Sequence, residues 1–218
     1  AMARIPALHH PGERFTYGHS TDLLGRLIEI WAGKPLDRVF DELVIKPLGM
    51  KDTAFQVPGR LKSRFASTYY QKDGELNVQD SYATSDYNKG FKFLGGGSGL
   101  VSTIRDYAIF CNMLVNNGKH GRRQIIKPET LQQMFTDQLA GVAGGFQFGL
   151  GFAIDNLKIG AGSSSRMAKS FAWSGYASTT FQVIPELKLV NIIVQQQVPT
   201  YDVLGNTLSA QLREGLSL

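Results

Sequence analysis

The sequence predicts an α+β fold, and three observations carry the prediction. Apolar residues recur at helical spacing through much of residues 1–142. Beyond Ala143 the period changes to two, in short runs rich in β-branched and aromatic side chains, and the chain then closes on a second stretch of helical period. Helices first, then a short antiparallel sheet with a covering helix, is the α+β order. Residues 1–142 are accordingly expected to form a mainly helical region with irregular excursions, and residues 143–218 the antiparallel strands and C-terminal helix of an α/β region. Composition allows a packed core, since 43% of the 218 residues are hydrophobic and 19% charged, well away from the regime of disorder.

Residues 1–16, with Pro6, Pro11 and Gly12, read as an irregular approach. From Thr21 to Ala32, Leu23, Leu24, Leu27, Ile28 and Trp31 recur on one helical face, and Gly33 is a natural C-terminal cap. Pro35 opens a second helix to about Ile45, stopped by Pro47-Leu48-Gly49-Met50. Residues 52–92, rich in Tyr, Ser, Asp and Lys, suit surface excursions. A third helix follows Ser102-Thr103 through Asn116; either hydroxyl can cap it, and Asp106 suits the positive end of its dipole. A short fourth helix begins at Pro128-Glu129. Phe146–Ile154, Ser170–Trp173, Ser178–Ile184 and Leu189–Gln196 are strand candidates, the last two joined as an antiparallel hairpin by Pro185-Glu186-Leu187-Lys188. Asp202–Leu212 closes the chain as an amphipathic helix.

Several function classes are disfavoured. The formal net charge is +5, but the cations are scattered, and their densest cluster, Lys119-His120-Gly121-Arg122-Arg123, lies in a turn-like stretch. A nucleic-acid surface calls for a longer stripe or a recognised module. No apolar run reaches the roughly 20 residues of a membrane-spanning helix. The single cysteine, Cys111, shares a helical face with Tyr107, Phe110 and Leu114 and reads as a buried thiol. The carboxylates are dispersed and His9-His10 are adjacent, so no metal site or cofactor is expected. Gly95–Gly99 lacks the Gly-Lys-Ser/Thr ending of a phosphate loop and reads as a tight turn entering the next helix.

Three stretches carry more information. Pro11-Gly12-Glu13-Arg14-Phe15-Thr16-Tyr17-Gly18-His19-Ser20 runs into Leu24-Gly25 and then Pro47-Leu48-Gly49-Met50-Lys51-Asp52-Thr53. Gly96-Gly97-Ser98-Gly99-Leu100-Val101-Ser102-Thr103-Ile104-Arg105-Asp106 is the second. Trp173-Ser174-Gly175-Tyr176, leading into Thr180-Phe181-Gln182-Val183-Ile184-Pro185, is the third. In this order they resemble the serine hydrolases of the class C β-lactamase and penicillin-binding type, including the family VIII carboxylesterases. The matching segments are that family's Tyr-x-Asn region with its PLGM-x-DT stretch, its glycine-rich stretch, and its Lys-Thr-Gly strand.

The resemblance implies a β-lactamase/transpeptidase-like fold, incomplete in this chain, and an acyl-enzyme mechanism. Such chemistry needs a nucleophile, a base, and two N–H donors for the carbonyl oxygen. By resemblance Tyr17 completes the proton relay; a phenol titrates near 10, so it depends on a neighbouring lysine. The N–H of Tyr176 is one oxyanion donor, Gly175 lets backbone approach the substrate, and Ser174 is a hydrogen-bonding wall residue. His19 stands where the family usually carries Asn, and reads either as a donor to a substrate carbonyl or as a satisfied polar residue. Trp173 replaces the cation that faces the carboxylate of penicillins. An indole has a donor but no charge, and the Trp-x-Gly version resembles the carboxylesterases, which implies neutral ester substrates. The alternatives are a β-lactamase or D-amino-acid peptidase, and a non-catalytic binding module of the same fold.

The family's nucleophile is the serine of Ser-x-x-Lys on a helix ahead of the tyrosine. No serine here has a lysine three residues on; Ser85 and Ser165 have Lys89 and Lys169 four residues on, the wrong spacing. The expectation is that an N-terminal fragment of the same protein, carrying Ser-x-x-Lys, accompanies this chain as the partner of a nicked enzyme. Truncation and natural loss of catalysis are the competing explanations.

Overall fold

Residues 20–32 form helix α1 (Ser20–Ala32), which ends where Gly33 takes the left-handed conformation at φ 64° and its N–H donates to the Glu29 carbonyl. The computed structural model describes residues 4–142, 146–161, 163, 165–199 and 203–216. The second helix runs further than its sequence suggests. It comprises α2 (Leu36–Phe40), a π-helical turn at Asp41–Ile45, and α3 (Lys46–Leu48), closed by Gly49 at φ 69°. Pro47 has no N–H to return to the preceding turn and its ring crowds the carbonyl there. The widened π turn falls on the residues that must accommodate it, so the proline ends the rod one turn later instead of breaking it.

Residues 52–92 depart from the expected irregular excursion. They hold a 3₁₀ turn at Gly59–Arg64, an antiparallel hairpin of β1 (Thr68–Lys72) and β2 (Glu75–Asp80), and a short helix α4 (Asp86–Lys89) capped by Ser85 Oγ, which accepts the Tyr87 N–H. The hairpin turns on Asp73-Gly74, both at positive φ (52° and 82°), the conformation a two-residue loop needs to match strand twist. Helix α5 (Ile104–Val115) is capped by Thr103, whose Oγ1 accepts the Asp106 N–H at 3.2 Å. The ribbon β3 (Lys119–His120) and β4 (Arg123–Gln124) follows, then α6 (Pro128–Met134), with proline in its first turn.

The expected strand Phe146–Ile154 is two strands, β5 (Gln147–Phe148) and β6 (Ala153–Ile159), folded back on each other. The break lies at the glycines: the Gly149 N–H donates to the Phe152 carbonyl at 2.8 Å, and Gly151 has φ 92°. A Cβ on Gly149 would stand 2.0 Å from the Met134 carbonyl oxygen, so the approach of α6 excludes a side chain there. Strands β7 (Arg166–Ser174), β8 (Thr180–Ile184) and β9 (Leu189–Ile193) complete a five-stranded antiparallel sheet in the order β5-β6-β7-β8-β9. The β8–β9 hairpin forms as expected, through a 3₁₀ turn at Pro185–Leu187. Strand β10 (Gln197–Val198) leaves this sheet to pair in parallel with β1. The last helix, α7, spans Val203–Leu216, and Asp202 lies outside the described residues.

Alternation along the strands divides the core. Ile154, Phe171 and Val183 face α5 and α6, joining Cys111, Met113, Leu114, Leu131, Leu48 and Met50 in the main cluster. Leu157, Ile159, Ala168 and Ile184 point to the other face, where Leu216 of α7 packs. The fold is thus the α+β arrangement the periodicities predict. Cys111 is fully buried, and burial pushes its thiol up to about 12. Helix α1 is the exception to amphipathic expectation: Leu23, Leu24, Leu27, Ile30 and Trp31 are exposed, while its buried residue is Gly25.

Candidate active site

Two junctions fix the start of α1. A Cβ on Gly96 would lie 2.2 Å from the Thr21 carbonyl oxygen, and one on Gly97 2.5 Å from Thr21 Oγ1. The glycine run is therefore where a loop lies directly on the backbone of α1, rather than simply a turn into the next helix. Asp22 makes the second junction. Its Oδ1 accepts the Gly97 N–H at 2.9 Å, and its Oδ2 lies 3.0 Å from His19 Nδ1. The Gly97 bond and then the His19 ring hold the Asp22 carboxyl below the usual carboxylate range, against the opposing effect of its partial burial.

A buried network ties the other motif residues together. Asp106 Oδ2 accepts the Asp52 N–H at 2.7 Å and the Thr53 hydroxyl at 2.9 Å, and Thr53 Oγ1 lies 2.8 Å from Ser102 Oγ. Ala54 and Val101 add an antiparallel bridge. The residues of these two stretches serve architecture: they carry the glycine loop to α1. Ser102 is consequently no cap for α5, since Thr103 fills that place.

Tyr17 and Trp173 come together from opposite ends of the chain, their ring centroids 6.0 Å apart and tilted by 35°. Trp173 also meets Phe148 edge-on at 5.0 Å, and Phe148 contacts Phe15 and Phe146. These phenylalanines build an aromatic wall that sequence reasoning missed. The i, i+2 spacing of Phe146 and Phe148 within the expected strand was its signal. Tyr17 is 74% exposed and Tyr176 71% exposed, and among the described residues the Tyr17 hydroxyl has no hydrogen-bond partner.

Following Trp173 and Ser174, the chain turns tightly. The Gly175 N–H donates to the Thr179 carbonyl, and a Cβ on Gly175 would lie 2.4 Å from Thr179 Oγ1. Ser178, fully buried at φ 62°, donates its hydroxyl to the Gln197 carbonyl. This turn presents the exposed Tyr176 at the mouth of β7 and β8. His19 is oriented by Asp22 but has no described contact with Tyr17 or Trp173. A cavity of about 550 Å³ opens beside Asp22, among Asp80, Tyr87, Phe91 and Gly95, and a larger one of about 760 Å³ lies along α1 among Arg26, Arg38 and Phe55. Neither is lined by Tyr17 or Trp173. Of the residues singled out in the sequence, Tyr17 and Trp173 are the pair brought into contact, and their open face is the candidate site. No group of three metal-ligating side chains occurs among the described residues.

The fold and this face define a β-lactamase-like protein. The profile of the Beta-lactamase family matches residues 1–214, and the chain belongs to that family. It is 30% identical over 232 residues to Protein Rv1367c of Mycobacterium tuberculosis (strain ATCC 25618 / H37Rv), covering 98% of this chain and 58% of that protein. An Escherichia coli K12 protein with the provisional name D-alanyl-D-alanine carboxypeptidase is 29% identical over 168 residues, 71% of this chain and 38% of its own. Among solved structures, simvastatin synthase (LovD) from Aspergillus terreus superposes with a TM-score of 0.76 at 21% identity, covering 96% of this chain and 56% of that one. EstCE1, described as a hydrolase with promiscuous acyltransferase activity, gives 0.71 at 20% identity, covering 99% and 59%. These likenesses show the β-lactamase/transpeptidase-like architecture, and the chain spans between 38% and 59% of the length of these proteins.

Proposed function

We propose that the protein is the tyrosine-bearing part of a serine hydrolase that cleaves carboxylic esters through an acyl-enzyme, akin to the family VIII carboxylesterases. The nucleophile comes from a Ser-x-x-Lys segment outside these 218 residues. The observation that carries the reading is the contact of Tyr17 with Trp173: the relay residue stands against an uncharged aromatic wall, where a penicillin-recognising site needs a cation. In this scheme the serine oxygen adds to the ester carbonyl while its proton passes to the lysine–tyrosine pair. Tyr17 returns that proton to the departing alkoxide, and water then cleaves the acyl-enzyme by the same path. The Tyr176 N–H stabilises the oxyanion, Ser174 and Gly175 line the approach, and His19, held by Asp22, donates to the substrate. The hydrolase and acyltransferase activity named for EstCE1 supports this reading.

The carboxypeptidase name of the Escherichia coli relative favours a second reading, a D-amino-acid peptidase or β-lactamase. With the Ser-x-x-Lys segment supplied, a short-chain aryl ester and a chromogenic cephalosporin are offered side by side. Ester turnover that falls about a hundred- to ten-thousand-fold in Tyr17→Phe, with the circular dichroism spectrum kept, is the expected result. Fast cephalosporin turnover without esterase activity overturns the ester reading. An unaffected Tyr17→Phe rate removes Tyr17 from the mechanism, and inactivity towards both substrates favours a binding module.

A further inference from the structure

The chain's basicity is local. Of a net charge of +5, residues 119–127 supply Lys119, Arg122, Arg123 and Lys127 with no carboxylate, and no Asp or Glu occurs between Asp106 and Glu129. All four side chains are exposed, and among the described residues none of them makes an ion pair. Elsewhere Arg26, Arg60, Arg64 and Arg213 each sit on a carboxylate. These unpaired cations lie on and beside a built ribbon. His120 pairs with Arg123 and Lys119 with Gln124 across β3 and β4, with Gly121 turning at φ 57°. The Ile125 and Ile126 N–H groups both donate to the Gly118 carbonyl, Gln124 Nε2 donates to the Asn117 and Ile126 carbonyls, and the Ile125 and Ile126 side chains pack on the main core.

Helix α5 does not require these charges. Its terminal carbonyls already accept the N–H groups of Asn116, Asn117 and Gly118. Nor does the candidate site use them: the ribbon follows the far end of α5, a helix about 18 Å long, from the network that holds the glycine loop. We propose that the β3–β4 ribbon is an electrostatic docking surface for an anionic lipid bilayer. Four exposed cations gathered at one hydrogen-bonded ribbon suit a flat, diffuse field of headgroups, whereas nucleic acid asks for a stripe that follows phosphates. Each Lys or Arg held at such a surface multiplies partitioning roughly fivefold.

The test is co-sedimentation of the purified chain with vesicles of phosphatidylcholine, with and without about one-third phosphatidylglycerol. Binding is expected to the anionic vesicles only, and to disappear at about 0.5 M salt. Arg122→Glu/Arg123→Glu should weaken it more than tenfold, and the milder Arg122→Gln/Arg123→Gln should weaken it less, with unchanged melting curves. Lys51→Glu/Lys72→Glu, which has the same net charge as the Glu variant, should bind much as the parent does. Equal loss in the two charge-reversed variants overturns the assignment to the ribbon. Absence of parental binding to anionic vesicles, salt-insensitive binding, or binding to duplex DNA in place of vesicles overturns the bilayer proposal.

Discussion

At the scale of the residue, Asp22 ties the start of α1 to the glycine loop. It lies in the first turn of α1, joins the glycine loop through the Gly97 N–H, and orients His19. A carboxylate held below its ordinary pKa stabilises the fold above that ordinary value, and the contribution is lost as pH falls through the lowered one. Asp22→Asn should therefore lower stability at neutral pH and make the decline between about pH 5 and pH 2 shallower, as read from urea unfolding at a series of pH values. An unchanged acid slope would mean that the junction carries no such energy. Tyr17, His19 and the Trp173–Tyr176 run are singled out in the sequence by their flanking motifs, and the structure sets Tyr17 against Trp173. Asp22 and Phe148 are not singled out, because their roles arise from contacts with segments far away in the chain, which no local pattern encodes.

At the scale of the element, the glycine run shows what the motif is for. Gly25 of α1 faces Gly96, and a Cβ on Gly25 would lie 3.2 Å from the Gly96 Cα. A methyl group on Gly96 has backbone oxygen 2.2 Å away and nothing flexible to displace. Gly96→Ala should cost about 1–3 kcal/mol or more in thermal or chemical unfolding, whereas Gly59→Ala, where a Cβ meets nothing within 4 Å, should cost far less. Equal effects would show that the α1 junction is pliable. Helices α1, α5 and α6 and the β8–β9 hairpin were readable because their periodicity is carried by large apolar side chains and their ends by Gly33, Thr103, Pro128 and Pro185. The β1–β2 hairpin escaped because its strands are largely exposed and polar, so alternation is faint. Its Asp73-Gly74 turn was the local signal, and it lay in plain sight. In β5–β6 the apolar alternation ran straight through the turn glycines and concealed the fold-back.

At the scale of the whole molecule, the apolar stripe of α1 was correctly read as a helix face, but it points outward. Ile30 is 60% and Trp31 73% exposed, with Leu23, Leu24 and Leu27 beside them. Exposed apolar side chains gathered on one helix face mark an interaction surface. On the proposed function its occupant is the segment carrying Ser-x-x-Lys. The chain alone should therefore bind a hydrophobic dye strongly and show red-shifted emission from Trp31. Addition of the upstream segment should reduce dye binding and shift that emission to the blue. Leu27→Glu should weaken the association by at least tenfold, since a buried leucine contributes about 1.5–3 kcal/mol, while the isolated chain melts as before. If emission and dye binding stay unchanged in the presence of the segment, the α1 face has another occupant and the proposed assembly fails.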